Sequence, residues 1–148
     1  MAHDRLHPEL HFRSGAELED LVRRFEACTI APAEFTHRAH LAVALWYLAH
    51  APQTEAAVLM RAGLLRFIAH NNVEPQKYNE TITLFWLKLV QHFRAHAGAE
   101  RPLADVANEL LARFGDTQLL FRHYSRKLIQ TEAAKTAWVE PDLKGLEF

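Results

Sequence analysis

Two histidines, His37 and His40, open the stretch EFTHRAHLAVALWYLAH at residues 34–50, and almost everything after them is apolar. On a helix, residues three apart are neighbours on one face, with Cβ atoms about 5–6 Å apart. Such a pair can reach one metal ion or one ligand together. Leu41, Ala44 and Leu48 continue the stripe, and small Ala44 beneath the imidazoles leaves room for something bound. A helix N-terminus is electropositive and disfavours imidazolium. Neutral rings are good ligands, yet the same field opposes a nearby cation. The competing reading is a polar first turn that only meets solvent or the preceding loop.

A second stretch, YNETITLFWLKLV at residues 78–90, supplies a carboxylate. Glu80 shares a stripe with Thr83, Leu84, Leu87 and Gln91, while Ile82, Trp86, Leu89 and Phe93 make the core face. A carboxylate in a first turn gains from the helix dipole and its free N–H groups. Glu80 is therefore a candidate metal ligand, a candidate general base, or a partner that orients a histidine. His37 is the other catalytic candidate. Tyr78 and Thr83 are expected to line the same pocket, with Ala44 and, less directly, His123. His37, His40 and Glu80 together match in residue type a non-haem iron site or a zinc site, so the cofactor expected is one divalent transition metal (Zn, Fe or Cu). The plainer reading of Glu80 is an ordinary first-turn acid.

Other chemistry finds less support. Glu34 and His37 have the spacing of a di-iron bundle motif, but no second such motif occurs. The zinc-protease pattern and a glycine-rich phosphate loop are absent. His92 and His96 are four apart on what reads as a solvent face with Thr81 and Lys88. His3, His7 and His11 repeat every four residues in an N-terminal arm, where Pro8 opposes one continuous helix. His50 and His70 sit near helix C-termini, a structural position favoured by the dipole. Cys28 is the single cysteine and has no activating base beside it. Ser125 reads as a helix cap rather than a nucleophile.

These side chains need helices to place them. All six prolines fall between periodic segments, and glycine is scarce. Ser14 and Glu17 form a capping-box pattern that predicts a helix through about Cys28. Thr36 caps a helix over about 37–50, and Thr54 another to about Asn71. A fourth runs from about Asn79 to His96. Pro102 begins a fifth, ended by Gly115. Short helices are expected near 116–123 and 131–138. Trp138 and Leu143 call for burial, so the extended tail 139–148 should dock on the bundle, with Glu140 and Asp142 near its rim. The fold class is all-α: a single-domain bundle of about five main helices plus one or two short C-terminal ones, covering 14–148 after an arm at 1–13.

Length and charge bound the function. The 148 residues suit one domain with an unassisted core. Lys plus Arg number 17 against 18 Asp plus Glu, which argues against binding nucleic acid through its phosphates. The longest greasy run, Leu41 to Ala49, is far short of the roughly 20 residues a membrane helix needs. Nothing resembles a signal peptide, so the expected location is cytoplasmic.

FTHRAHL and YNETIT, with the later YSRKL and WVEPDL, resemble a family of small uncharacterised bacterial all-helical proteins. Its shared pattern runs F-T-H-x-x-H-L, then Y-H-E-T-[IL]-T, then Y-S-x-x-x-L and W-V-E-P-D-L. Phe35, Thr36, His37, His40 and Leu41 match it, as do Tyr78, Glu80, Thr81 and Thr83. Tyr124, Ser125, Leu128 and the segment 138–143 complete the match. The resemblance spans the chain from about residue 18 onward and implies a shared fold and site without a reaction. This chain departs from the pattern at Asn79, where the family often carries histidine, and that weakens a three-histidine metal centre.

Three functions follow as expectations. One is a metal-dependent enzyme of unstated reaction using His37, His40 and Glu80. Another is a non-catalytic module binding a small molecule in the same pocket. The last is a homodimeric interaction protein in which the histidines are structural.

Overall fold

Caps and prolines cut the chain into rods much as the sequence implies. The computed structural model describes residues 10–148. The arm's His3 and His7 lie outside the described residues. Among those described there are eight α-helices, two single turns of 3-10 helix (Pro32–Glu34 and Pro75–Lys77) and no strand. The α-helices are α1 (Gly15–Glu26), α2 (His37–His50), α3 (Gln53–His70), α4 (Glu80–Ala95), α5 (Leu103–Phe114), α6 (Gln118–His123), α7 (Arg126–Ile129) and α8 (Glu132–Thr136). The fold is all-α, with three short C-terminal helices where one or two were expected.

Each long helix starts or stops for a local reason. Ser14 accepts the Glu17 N–H at 3.3 Å, but the Glu17 carboxylate answers the N–H of Arg13 rather than that of the cap. α1 ends at Glu26, short of the expected Cys28. Cys28 takes a left-handed φ of 58°, and the Thr29 N–H reaches back to Arg24 O at 2.9 Å. Thr36 caps α2 by accepting the Ala39 N–H. Asn79 caps α4 by accepting the Ile82 N–H at 3.0 Å, and its amide donates to Ile129 O at 2.8 Å. Asn79 thus joins the start of α4 to the end of α7.

α2 runs through the centre, packed by α1, α3, α4 and α5. That is why it is apolar all round: Leu41 through Leu45 are completely buried. α3 lies close to α1 because residue 63 is glycine. A Cβ there would stand 2.5 Å from Cε2 of Phe25. Phe25 in turn stacks on Phe35, centroids 4.6 Å apart.

The Thr81 face of α4 is not a solvent face. Thr81 is fully buried, donates to Ala137 O at 2.9 Å and accepts the Val139 N–H. α8 and the start of the tail cover it, and Lys88 lies over the Trp138 ring. The tail then follows α6 and α7. Tyr124 donates to Val139 O at 2.6 Å, and Ser125 donates both its N–H and its hydroxyl to Asp142. Leu143, expected to be buried, is 58% exposed; its backbone N–H makes the attachment instead, to His123 O. No helix among the described residues is long and apolar enough to cross a membrane.

Candidate functional site

The start of α2 meets the end of α5. His37 donates from Nε2 to Phe114 O at 3.1 Å, and Arg38 donates from its guanidinium to Leu111 O at 3.0 Å. Both carbonyls belong to the last turn of α5, which has no helical donors left for them. Gly115 makes room: a Cβ there would overlap the Arg38 guanidinium and Leu111 O. Its φ is an ordinary −69°, so glycine is required by this close approach and not by a left-handed turn. His37 therefore has a structural duty. Its ring also sits edge-on to Trp86, centroids 4.4 Å apart.

One turn on, His40 packs beside Phe35, centroids 6.2 Å apart. Part of its ring remains accessible, but Nε2 is buried and has no hydrogen-bond partner among the described residues. Burial, and then the neighbouring His37, push its pKa down to about 4. Burial also lowers the His37 pKa, against the pull of the Phe114 carbonyl. Both imidazoles are neutral at physiological pH.

The two histidines line a cavity of about 550 Å³. Aromatic rings form much of its wall: Phe35, Phe67, Trp86 and Phe121. Leu64, Ile68, Ile82 and Leu120 supply aliphatic surface, and the polar contributors are Thr36, Thr117 and Arg126. No carboxylate, thiol or amine belongs to this wall.

Glu80 lines a different cavity. It is buried, and both its oxygens are taken by Arg61 of α3, with Nε at 3.0 Å from Oε1 and the second contact from Nη2 to Oε2. Tyr78 adds a third bond, donating its hydroxyl to Oε1 at 2.6 Å. Arg61, then the Tyr78 hydroxyl, hold the carboxyl below its usual range, against the opposing effect of burial. Burial and Glu80 push the Tyr78 phenol up to about 12. This cleft, about 280 Å³, also takes in Glu132 and Lys135 of α8.

The joint metal set of His37, His40 and Glu80 is therefore not formed. Among the described residues no group of three His, Cys, Asp or Glu side chains comes together to hold a metal. The physical reason is the direction of α4's first turn, which sends Glu80 to Arg61 while Ile82 and Trp86 face the histidines. The other expected pocket residues also go elsewhere, apart from Tyr78. Ala44 is fully buried in the core. Thr83 is buried and donates to Asn79 O within its own helix. His123 is 3% exposed and donates from Nδ1 to Lys144 O, so it fastens the tail. Glu140 accepts from the Trp138 indole and rims neither cavity. The exposed His92 and His96 rings lie 4.3 Å apart, with His96 bonded to His92 O.

Sequence reasoning missed two arginines. Arg61 interrupts the apolar run from Ala56 to Leu65, which was the available signal for a buried partner. Arg126 opens a helix of only four residues and gave no such signal. In comparison with known proteins, no family model, curated protein or solved structure matches this chain.

Proposed function

We propose that this chain is a non-catalytic helical module that binds one small, mainly apolar organic molecule in the aromatic cavity between α2, α3, α4 and α6. The observation that carries this reading is the composition of the cavity wall. It joins four aromatic rings and four aliphatic side chains to two neutral imidazoles. Small-molecule sites are of this kind: roughly 300–1,000 Å³, mostly apolar, with a few polar groups that orient the guest. Aromatic walls offer flat, rigid contact surface and favour ligands with rings or extended chains.

The same wall argues against catalysis. General acid–base work favours a group whose pKa lies near the operating pH. His40, at about 4, is too weak a base to hold a proton at neutrality. His37 already donates to Phe114 O, and the wall offers no nucleophilic thiol or amine. The unpaired His40 Nε2 has a cost, since buried polar groups are normally bonded. A ligand polar group that draws the ring towards it relieves that cost.

The test is a fluorescence titration with the neutral probe phenylnaphthylamine. Saturable binding at one site is expected. Leu64→Trp, which puts an indole into the cavity, should abolish it while the far-ultraviolet circular dichroism and cooperative melt persist. Absence of saturable binding, or binding indifferent to the filled cavity, rejects the reading.

A further inference from the structure

We infer that the ligand of this cavity is an amphipathic monoanion, an aromatic or medium-chain carboxylic acid, and that Arg126 reads its charge. The inference rests on the proposal that the cavity binds an apolar molecule and adds the class of that molecule.

The charge inventory of the wall is one-sided. Arg126 is its one formally charged residue, with no aspartate or glutamate to balance it. Arg126 makes no ion pair among the described residues. Other arginines are engaged: Arg61 with Glu80, Arg101 with Glu109, Arg24 with Asp20 and Arg38 with a helix-terminal carbonyl. The Arg126 guanidinium lies over the Phe121 ring, 3.9 Å from its centroid. Phe121 belongs to the same wall, so the stack holds the cation at the edge of the apolar space with its N–H edge open to a partner.

Thr36 and His37 bring the start of α2 to this wall, and the partial positive charge of a helix N-terminus has the same sign as Arg126. A cationic ligand meets repulsion from both. A dianion leaves its second charge against aromatic and aliphatic surface, which is costly without a partner. A single carboxylate on an apolar body satisfies both ends of the site. Its two oxygens match the planar fork of a guanidinium.

Two probes with related bodies separate charge from apolarity: anionic anilinonaphthalene sulfonate and neutral phenylnaphthylamine. Arg126 is exposed, so Arg126→Gln should leave the fold intact. At low salt this variant should bind the anionic probe about fivefold to tenfold more weakly, the loss of one part-exposed charge-assisted contact. The neutral probe should change by less than about twofold on the same scale. Arg126→Lys should recover part of the loss. Decanoate should displace the anionic probe and decylamine should not. Equal weakening of both probes, or no weakening of either, overturns the role of Arg126 while leaving the cavity reading standing. Displacement by decylamine overturns the anionic assignment. Failure of both probes to bind the native chain removes the cavity reading and the inference together.

Discussion

Glu80 gives the sharpest test of how the two cavities divide the work, because its replacement should cost stability and leave ligand binding alone. The carboxylate side chain is 10% exposed and takes three hydrogen bonds, two from Arg61 and one from Tyr78. A hydrogen bond to a charged group contributes about 1.5–3 kcal/mol. Arg61 is 41% exposed, so water can replace much of its contact and the sum is well below a fully buried pair. Glu80→Gln, which retains an acceptor for Tyr78, should cost about 1–2 kcal/mol, and Glu80→Ala about 2–3 kcal/mol. At this chain length the alanine variant should melt roughly 4–12 °C lower.

The pH dependence carries the sign. The folded-state pKa of Glu80 is depressed, so its stabilisation is present above the unfolded value of about 4.5 and is lost as pH falls through the lower folded value. In urea titrations the gap between native chain and Glu80→Gln should be constant from neutrality down to about pH 5 and then shrink with further acid. Both variants should bind phenylnaphthylamine as the native chain does. A glutamine variant as stable as the native chain at pH 7 contradicts a stabilising role for the Arg61–Glu80–Tyr78 bonds, as does a gap that acid leaves unchanged. Loss of probe binding in a well-folded Glu80→Gln protein would falsify the separation of the two cavities.

Other outcomes follow from the same contacts. His40 protonates at about 4 when folded and near 6.5 when unfolded, so the unfolded chain takes up more protons between those values. Stability should therefore fall as pH drops from 6.5 towards 4, by up to about 1.4 kcal/mol per pH unit for this one group, and His40→Phe should flatten that slope in urea titrations. Gly63→Ala gains up to about 1 kcal/mol of helix propensity but overpacks Phe25 by about 1–3 kcal/mol, so its melting temperature should drop; a rise would show that the ring can yield. Tyr124→Phe leaves Val139 O without its donor and should cost about 1 kcal/mol, with faster amide exchange confined to residues 139–148. Unchanged exchange there would mean that the tail is held by its other contacts.

The helices were readable because their signals are local. Thr36, Asn79 and Ser125 each accept an N–H inside the first turn they open, and the unbroken apolarity of α2 matches its burial on every side. The joint site was not readable, because helical spacing says which residues share a face and not which faces meet. His37 and His40 do share a cavity, as their spacing implies. Glu80 sits on the correct helix but turns towards Arg61, a residue in the middle of α3 with no acid or cap beside it in sequence to announce the pairing. Thr81 looked solvent-facing until α8, a five-residue helix with little sequence signature, closed over it. Asn79 caps α4 and holds Ile129 O, and the second of these bonds, 50 residues away in sequence, had no local signal.

On the proposed function, the His37–His40 cavity, and not the Arg61–Glu80 cleft, receives a small apolar molecule. Side-chain nuclear magnetic resonance of the intact chain during titration with phenylnaphthylamine tests it most directly. Saturable shifts are expected in the His37 and His40 imidazoles and the Trp86 indole, with Tyr78 and Arg61 unmoved. Shifts centred on Tyr78 and Arg61, or no saturable shift in either set, would contradict it.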